Sequence, residues 1–474
     1  MESYDFTDFS GELENLNVRH PHQVRRESNI TYKDEFALNE LLTLQEEIYK
    51  QYLEGWSRSY YSLDYHMKGI MQYGLPNIPN SAVDNAIYTK AIQAVRTELS
   101  SLHPVRAYDI MSELDIIPFK SSSAAGYDYV GAKGEIGGTN HTRAMSRARA
   151  IVGSVADGGI QALEHTIRTA VPDVGYTRTQ LSNLYITAKV RGVWGRAFHY
   201  ILIEGSSAYP LIQAFMNRDT FYHIGQDPTT SVPQLLSRVA RISRWIYALD
   251  WKQFDATVSR FEIHAAFDLL KEKLIFPNYQ TEVAFEISRQ LFIHKKIAAP
   301  DGNTYWAHKG IPSGSYFTSI IGSFVNRLRI GYLWEKLLNH QPTICFTQGD
   351  DSLIGDEELI HPTDIGELAN TIGWYFNPEK TEYARNPERV TFLGRSYRGG
   401  LNIRDLKRCL RLLIYPEYPV NSGRISAYRA LSIAEDSGGL SDLLNSIARR
   451  LRRHYGVASE EEVPDYFKRY IMGL

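Results

Sequence analysis

The stretch Ile344–Ile354, with the sequence ICFTQGDDSLI, decides how the rest of the chain is interpreted. Two short apolar runs flank Gly349, Asp350 and Asp351, and this pattern predicts a β-hairpin with two adjacent carboxylates at its turn. Neighbouring carboxylates repel each other when both are ionised, so the pair does not favour stability by itself. A divalent cation removes that repulsion, whereas a solvated turn is the plainer interpretation. A metal site here needs a third carboxylate and a set of cations elsewhere in the chain.

The composition predicts a globular protein with more than one subdomain. The chain has 474 residues, of which 43% are hydrophobic and 22% are charged, and this is enough for a large core in two or three subdomains. The formal net charge is −2, so the chain has no overall basic field. Any site for nucleic acid must therefore come from local clusters of cations.

The remaining bulk features predict a soluble, cytoplasmic protein. Cys345 and Cys409 are the two cysteines, and their spacing suits neither a zinc site nor a disulfide framework. The start of the sequence lacks the basic and apolar regions of a signal peptide, and no apolar run approaches the ~20 residues of a membrane span. The sequence also lacks a Gly-Lys-Ser/Thr phosphate loop, which argues against a helicase or ATPase module.

A third carboxylate is predicted at the end of a second strand. The run Arg244–Asp250 reads as a buried strand that ends at Asp250, and the following turn brings Asp255 back towards it. Ser259 and Glu262 then form a capping box that starts a helix. Asp250 could instead be an ordinary turn residue before that helix.

A glycine- and serine-rich loop leads into a helix with a polar stripe. The loop and the helix start have the sequence GIPSGSYFT at Gly310–Thr318, and Thr318, Gly322 and Asn326 recur at helical spacing. Such a stripe lets another group approach the helix closely. That group could be another helix, but beside paired carboxylates we expect a sugar.

Lys189 and Arg191 alternate with apolar residues and predict a phosphate-binding strand. In a strand, both cations share one face, while Val190 and Trp194 share the other. A solvated edge strand protected by its charges is the alternative. Upstream, the small-residue loop Phe119–Tyr127 could approach a ligand closely or could be a plain turn.

Three features after the hairpin complete the pattern. Apolar residues in 365–372 predict an amphipathic helix capped by Gly373, and a following turn presents Lys380. The segment Val390–Tyr397 reads as a pair of strands. Lys380 could be an exposed structural lysine.

Taken in order, these segments resemble motifs F, A, B, C, D and E of viral RNA-dependent RNA polymerases. The matching segments are Lys189 and Arg191, Asp250 and Asp255, Ser313 to Asn326, Gly349 to Asp351, Lys380, and Phe392 to Arg395. The loop Ser121–Tyr127 resembles motif G. The sequence GIPSGSYFT is most similar to the polymerases of partitiviruses, which have segmented double-stranded RNA genomes. The resemblance extends over roughly residues 115 to 400, and the ordered set is far more specific than any single motif.

The resemblance implies an α+β fold shaped like a right hand, with an antiparallel palm sheet flanked by helices. It implies an N-terminal arm at 1–85 that bridges fingers and thumb, fingers at 86–200 with motifs G and F, palm at 201–276 with motif A, a fingers insertion at 277–309, palm again at 310–400 with motifs B to E, and thumb at 401–474.

The resemblance also implies templated nucleotidyl transfer with two Mg²⁺ ions, for which Mn²⁺ can substitute. Asp250, Asp350 and Asp351 are implied to hold the metal, and Lys380 to protonate pyrophosphate. The residues implied to bind the incoming nucleotide are Lys189, Arg191, Arg196, Asp255, Ser313, Gly314, Thr318 and Asn326. Those implied to contact template RNA are Ser121, Ser122, Gly126 and Arg395.

One position departs from the family pattern. Many relatives carry an acid or amide where this chain has Gly322, so sugar discrimination is expected to rest on Asp255 and its neighbours. The implied partners are template and nascent RNA, NTPs and a capsid protein, with no membrane, and the implied location is the virion interior and the host cytoplasm. Two alternatives remain: a reverse transcriptase, and a catalytically inactive RNA-binding particle protein.

Overall fold

The computed structural model describes residues 4–6, 9, 11–22 and 29–472, with side chains as far as Lys468. The parts of the predicted arm (1–85) and thumb (401–474) that fall on 1–3, 7–8, 10, 23–28 and 473–474 lie outside the described residues. The helices are α1 (Glu35–Ile48), α2 (Leu63–Met71), α3 (Asn85–Glu98), α4 (Thr139–Thr169), α5 (Phe198–Met216), α6 (Pro228–Ile242), α7 (Phe254–Thr257), α8 (Arg260–Lys271), α9 (Tyr279–Ile293), α10 (Thr318–Leu338), α11 (Pro362–Ile372), α12 (Leu406–Ile414), α13 (Gly423–Asp436), α14 (Asp442–Tyr455) and α15 (Asp465–Met472). The strands are β1 (Leu13–Arg19), β2 (Trp56–Ser57), β3 (Val105–Arg106), β4 (Asp173–Thr179), β5 (Ser182–Asn183), β6 (Val190–Gly195), β7 (Trp245–Ala248), β8 (Leu274–Ile275), β9 (Lys295–Ala298), β10 (Asn303–Ala307), β11 (Ile344–Gln348), β12 (Asp351–Asp356), β13 (Glu382–Ala384), β14 (Ser396–Arg398) and β15 (Leu401–Ile403).

A four-stranded antiparallel sheet in the order β11-β12-β7-β13 forms the centre of the molecule. Successive side chains of a strand point to opposite faces, so both faces of the sheet can be covered. Tyr247 packs into the core formed with α8, α10 and α11, whereas Ile246 and Leu353 pack against α6 on the other side. Helices on both faces therefore bury this sheet and leave its ends accessible.

A second sheet carries the predicted phosphate-binding strand. Its strands lie in the order β1-β10-β9-β4-β6, and β4 pairs with β9 in parallel while the other neighbours are antiparallel. Helices α4, α5 and α9 share a core with this part of the chain. The strand β6 is at the edge of the sheet, where its cations are free to face a ligand.

The C-terminal helices form a separate core together with the helix α1. Apolar residues of α1, α12, α13 and α14 pack against one another. A buried ion pair fixes this junction, because Arg429 Nη1 lies 2.6 Å from Asp34 Oδ2 and both side chains are fully buried. Asp34 also caps the start of α1. The segment around α1 thus packs with the C-terminal helices in a single core.

The segment after α1 continues from the C-terminal helices to the five-stranded-sheet region. The guanidinium of Arg411 lies 3.8 Å from the ring centre of Trp56, and Arg411 Nε donates to Tyr52 O. The short strand β2 pairs with β5, which immediately precedes β6 in the chain. The segment thus contacts the C-terminal helices through Arg411 and the region of the five-stranded sheet through β5.

Several local predictions are confirmed, and one is wrong. The hairpin β11–β12, the capping box of Ser259 and Glu262, and Gly373 as the C-cap of α11 are all present. The predicted strand pair at Val390–Tyr397 is wrong in its extent, because only one antiparallel bridge, between Phe392 and Arg395, forms within it and the paired strands are β14 and β15. Leu393 and Gly394 both adopt a positive φ, and this bend ends any strand before Ser396.

Candidate active site

Strand pairing brings the carboxylates of two distant segments to one end of the central sheet. Tyr247 of β7 pairs with Ile354 of β12, and Leu249 N donates to Ser352 Oγ at 3.1 Å. Asp250 follows directly after this contact, and Asp351 is the first residue of β12. The antiparallel register therefore sets Asp250 beside the Asp350–Asp351 turn.

The helix α10 holds the turn from behind. Gly349 has a φ of 57°, a conformation that glycine adopts without steric cost, and its N–H donates to Ser323 Oγ at 2.8 Å. Asn326 Nδ2 donates to Gly349 O and to Asp351 O, each at 3.0 Å. Asn326 Oδ1 accepts from Trp251 Nε1 at 2.9 Å. The amide of Asn326 thereby ties the turn to the segment that carries Asp250.

A second turn holds Asp250 from the other side. The Asp250 N–H donates to Thr381 Oγ1 at 3.0 Å, and its carbonyl accepts from Asn377 N at 2.9 Å. Burial raises the pKa of Asp250, and the positive charge of Lys380 together with a hydrogen bond from Asn377 opposes that rise. Lys380 therefore lies within electrostatic reach of Asp250.

The other carboxylates show the effect of crowding like charges. Burial, together with the charges of Asp350 and Asp250, raises the pKa of Asp351 to about 7. The pKa of Asp350 is also raised, by burial and then by Asp250. Burial and the neighbouring Asp350 raise the pKa of Asp255 to about 7, against the pull of Arg191. Ionising all of these groups together near neutral pH therefore costs free energy, and a bound cation would offset that cost.

A cavity of about 470 Å³ opens beside these carboxylates. Asp255 and Asp350 line it together with Arg191 and Ser313. Acidic and cationic side chains thus line the same cavity. This arrangement suits a ligand that carries both a metal-bound phosphate and a ribose.

A neighbouring cavity of about 460 Å³ is strongly basic. Arg191 lines both cavities, and Lys189 lines only the second one. The other charged residues of this second cavity are Arg58, Arg178, Arg408 and Glu417. Its cations come from the N-terminal segment, from β4, from the start of β6 and from α12, so four separate segments of the chain build it.

Several predicted nucleotide-binding residues serve the loop before α10 or lie away from the cavity. Thr318 Oγ1 donates to Pro312 O and Ser315 O, so it ties that loop to itself. Gly314 packs against the backbone of β6. Arg196 is 3% exposed and donates to Leu291 O at 2.7 Å, so its guanidinium is buried away from the cavity. Asn326 is fully buried behind the turn.

Of the predicted template-contacting residues, two are exposed and two are buried. Ser121 and Ser122 are exposed, while Gly126 is buried where its loop meets Ala197. Arg395 is 2% exposed, and its Nη2 lies 2.8 Å from Asp436 Oδ1. The guanidinium of Arg395 therefore joins the β14–β15 region to the helix α13 and does not face a channel.

Two residues that hold the turn were not predicted from the sequence. Ser323 follows Gly322, so extending the polar stripe of α10 by one position could have found it. His223 Nδ1 contacts Gln348 Oε1 at 2.7 Å, and its Nε2 contacts Ser231 Oγ at 2.7 Å. His223 is 125 residues from Gln348, and no local pattern marks it.

The carboxylate set fits a hard divalent cation by its chemistry. Asp250, Asp350 and Asp351 offer oxygen ligands, which Mg²⁺ prefers, and none of them forms an ion pair with another described residue. Among the described residues, no three acidic, histidine or cysteine side chains converge closely enough to form a ready metal cage. The site thus offers carboxylate oxygens that have no ion-pair partner among the described residues. A bound cation would fix how these oxygens are arranged.

Comparison with known proteins gives the family. The model of the viral RNA-dependent RNA polymerase family matches residues 32–452, which is most of the chain. The chain belongs to this viral polymerase family. The resemblance inferred from the motifs is thereby confirmed.

Relatives of this polymerase-family chain come from several viruses. It is 21% identical over 328 residues to the RNA-directed RNA polymerase of Atkinsonella hypoxylon virus, a partitivirus, covering 56% of this chain and 48% of that protein. It is 31% identical over 159 residues to the RNA-directed RNA polymerase of Cryptosporidium parvum virus 1, covering 31% of this chain and 30% of the relative. It is 25% identical over 256 residues to the non-structural polyprotein 1AB of Turkey astrovirus 1, covering 47% of this chain and 16% of the polyprotein. The chain therefore spans about half the length of these relatives or less.

Solved structures confirm the predicted right-hand fold of this family member. The RNA-dependent RNA polymerase of a human picobirnavirus superposes with a TM-score of 0.67 at 16% identity, covering 91% of this chain and 89% of that chain. Its insertion-loop deletion mutant superposes with a TM-score of 0.66 at 16% identity, covering 95% and 90%. Within the described residues, no helix has the length and apolar character needed to cross a membrane.

Proposed function

We propose that this chain is an RNA-dependent RNA polymerase that transcribes and replicates a viral RNA genome by joining NTPs on an RNA template. The observation that carries the proposal is the pairing of β7 with β12, which sets Asp250 beside Asp350 and Asp351. The cavity next to them is lined by a cation, Arg191, and by a second carboxylate, Asp255. Family membership and the right-hand fold support the same activity.

Asp250, Asp350 and Asp351 would hold two Mg²⁺ ions, with Mn²⁺ able to substitute. When bound, the ions lower the pKa of the attacking 3′-hydroxyl and neutralise the departing pyrophosphate. The raised pKa values of Asp350 and Asp351 support this assignment, because Arg191 and a backbone hydrogen bond offset the effect of burial at Asp350 only in part. Placing the reactants and neutralising charge then supply most of the catalysis.

The chain's own residues bind and orient the nucleotide. Arg191 would hold the triphosphate, because it lines both cavities, and Lys189 would attract it from the outer, basic cavity. Asp255 and Ser313 would read the ribose 2′-hydroxyl, which separates NTP from dNTP. Lys380 would give a proton to the departing pyrophosphate, since its charge already acts on Asp250.

Four residues first assigned to ligands have supporting roles in this proposal. Asn326 positions the catalytic turn, Thr318 and Gly314 shape the loop before α10, and Arg196 belongs to a buried charge cluster. Template RNA would meet the exposed Ser121 and Ser122, while Arg395 would hold the thumb to the palm.

We further propose the division into arm (1–85), fingers (86–200 and 277–309), palm (201–276 and 310–400) and thumb (401–474). The contacts of the segment after α1 with both sides of the molecule support the bridging arm. RNA and NTPs are the proposed partners, with a capsid protein as a further one, and the proposed location is the virion interior and the host cytoplasm.

Primer extension on an RNA template tests the proposal. Wild-type protein should extend a labelled RNA primer with NTPs and Mg²⁺, and Asp350→Asn should give no product while binding RNA as before. The exposed variant Asp364→Asn serves as a matched control and should behave as wild type. A preference for dNTPs would favour a reverse transcriptase instead. Absence of product with wild-type protein under both Mg²⁺ and Mn²⁺ would favour the inactive RNA-binding protein.

A further inference from the structure

The loop Gly310–Phe317 lies directly against the strand that carries Arg191. Ser313 Oγ accepts from Trp194 N at 3.1 Å and donates to Gly192 O at 3.4 Å. A Cβ at Gly314 would lie 1.9 Å from Trp194 O, so only glycine permits this approach. The loop and the strand β6 therefore fit together as one surface on the nucleotide side of the cavity.

The same loop is held on its far side by a buried glutamate. Ser315 Oγ donates to Glu204 Oε2. Ser315 Oγ in turn accepts from Phe317 N at 3.1 Å. Glu204 belongs to α5 and is 2% exposed. One carboxylate thus orders Ser315 directly and Phe317 through it, at the end of the loop.

The second oxygen of Glu204 faces the end of β6. Arg196, one residue beyond that strand, has its Nε 3.9 Å from Glu204 Oε1 and 3.8 Å from Asp173 Oδ2. All three side chains are at most 3% exposed. Neither of these two carboxylate oxygens nor Arg196 Nε has a hydrogen-bond partner among the described atoms. Charge attraction at low dielectric therefore holds this contact.

We propose that Glu204 is a positioning residue for the incoming nucleotide: it holds Ser315 and Arg196 at once and so fixes the loop 310–317 against the strand of Arg191. The inference rests on the proposed polymerase function. Arg191 on the strand would bind the triphosphate, while Ser313 on the loop would bind the sugar. The link through Glu204 keeps the spacing between these two groups, and neither Glu204 nor Ser315 touches the nucleotide itself.

Loss of the link should weaken nucleotide binding and leave the chemical step almost unchanged. The link sets the distance between Arg191 and Ser313, and these two residues would bind the nucleotide in the ground state. The proposed metal-binding carboxylates lie on other elements. Ser315→Ala and Glu204→Gln should each raise the KM for NTP about tenfold, the usual size of one lost hydrogen bond to a charged group. In both variants kcat should stay within about twofold of wild type.

The test is single-nucleotide addition to a primed RNA template by full-length protein, with kcat and KM measured separately. Glu286→Gln is the matched control, because Glu286 is 1% exposed and pairs with Arg289 and Lys271 away from the loop. This control should leave KM unchanged. The double variant Ser315→Ala/Glu204→Gln should have the KM of either single variant, because both changes break the same link.

Each outcome decides the inference. A tenfold rise in KM for both single variants, without further rise in the double variant, supports it. If Glu204→Gln does not fold, Ser315→Ala decides alone, since it leaves the buried charges in place. An unchanged KM in Ser315→Ala, or additive effects in the double variant, overturns the inference while leaving the polymerase function intact. Failure of wild-type protein to extend the primer removes the proposed function and this inference together.

Discussion

Two clusters of charge near the central sheet differ in whether their charges have ion-pair partners. Beneath the sheet, Arg329 Nε lies 2.6 Å from Glu262 Oε1, and both side chains are at most 1% exposed. The guanidinium also lies about 5 Å from the ring centres of Trp251, Phe254 and Trp374. Every charge in this cluster has a partner.

The carboxylates at the end of the sheet have none. Asp250, Asp350 and Asp351 form no ion pair with any residue that the structure describes, and the pKa of each is raised by burial. Burial of a charge is costly unless it is paired, so the fold would not retain such a cluster for stability. The difference indicates that the paired charges stabilise the fold, whereas the unpaired ones are available to the cation that we propose.

The largest effect should come from removing one unpaired charge. Asp250→Asn keeps the shape of the side chain and its backbone contacts, yet it should lower the rate of nucleotide addition by about 10³-fold or more. The protein should fold normally, as checked by circular dichroism and thermal unfolding. A variant that retains more than a tenth of the wild-type rate would remove Asp250 from the metal site.

The paired cluster should respond in stability. Glu262→Gln leaves the charge of Arg329 buried and unpaired, so it should lower the free energy of unfolding by about 3–5 kcal/mol. Glu462→Gln is the matched control, because Glu462 pairs with Arg424 at the surface, with both side chains about half exposed. It should cost less than about 1 kcal/mol. Equal losses in denaturant titrations of the two variants would contradict the contrast between the clusters.

A smaller effect is expected at the edge of the unpaired cluster. Asp255→Ala should reduce the preference for NTP over dNTP by about tenfold, the size of one lost polar contact to the sugar. The measurement is kcat/KM for each nucleotide on the same template, with Asp364→Ala as an exposed control. An unchanged preference would show that Asp255 does not read the 2′-hydroxyl.

Sequence reasoning succeeded where a local rule is sufficient. The two short apolar runs around Gly349 predict the hairpin, the Ser259–Glu262 spacing predicts a helix start, and Gly373 predicts a helix end. The strand before Asp250 follows from its apolar run. Each of these predictions depends on residues within a few positions of one another.

Sequence reasoning failed where a distant partner decides the role of a side chain. Arg196 and Arg395 belong to basic segments, yet each is buried against acids that no local pattern reveals, Glu204 and Asp436 respectively. Helical periodicity correctly puts Asn326 on the face of Gly322. Only the tertiary structure reveals that this face meets the turn Gly349–Asp351.

The most direct test of the central claim is the stability of the protein with and without Mg²⁺. At pH 8 in a chelator, Asp351→Asn should melt at a higher temperature than wild type, because it removes one charge from the repelling cluster. Mg²⁺ should then raise the melting temperature of wild type more than that of the variant. Equal melting temperatures in chelator, together with no response of wild type to Mg²⁺, would contradict the claim that these carboxylates form an unneutralised cation site.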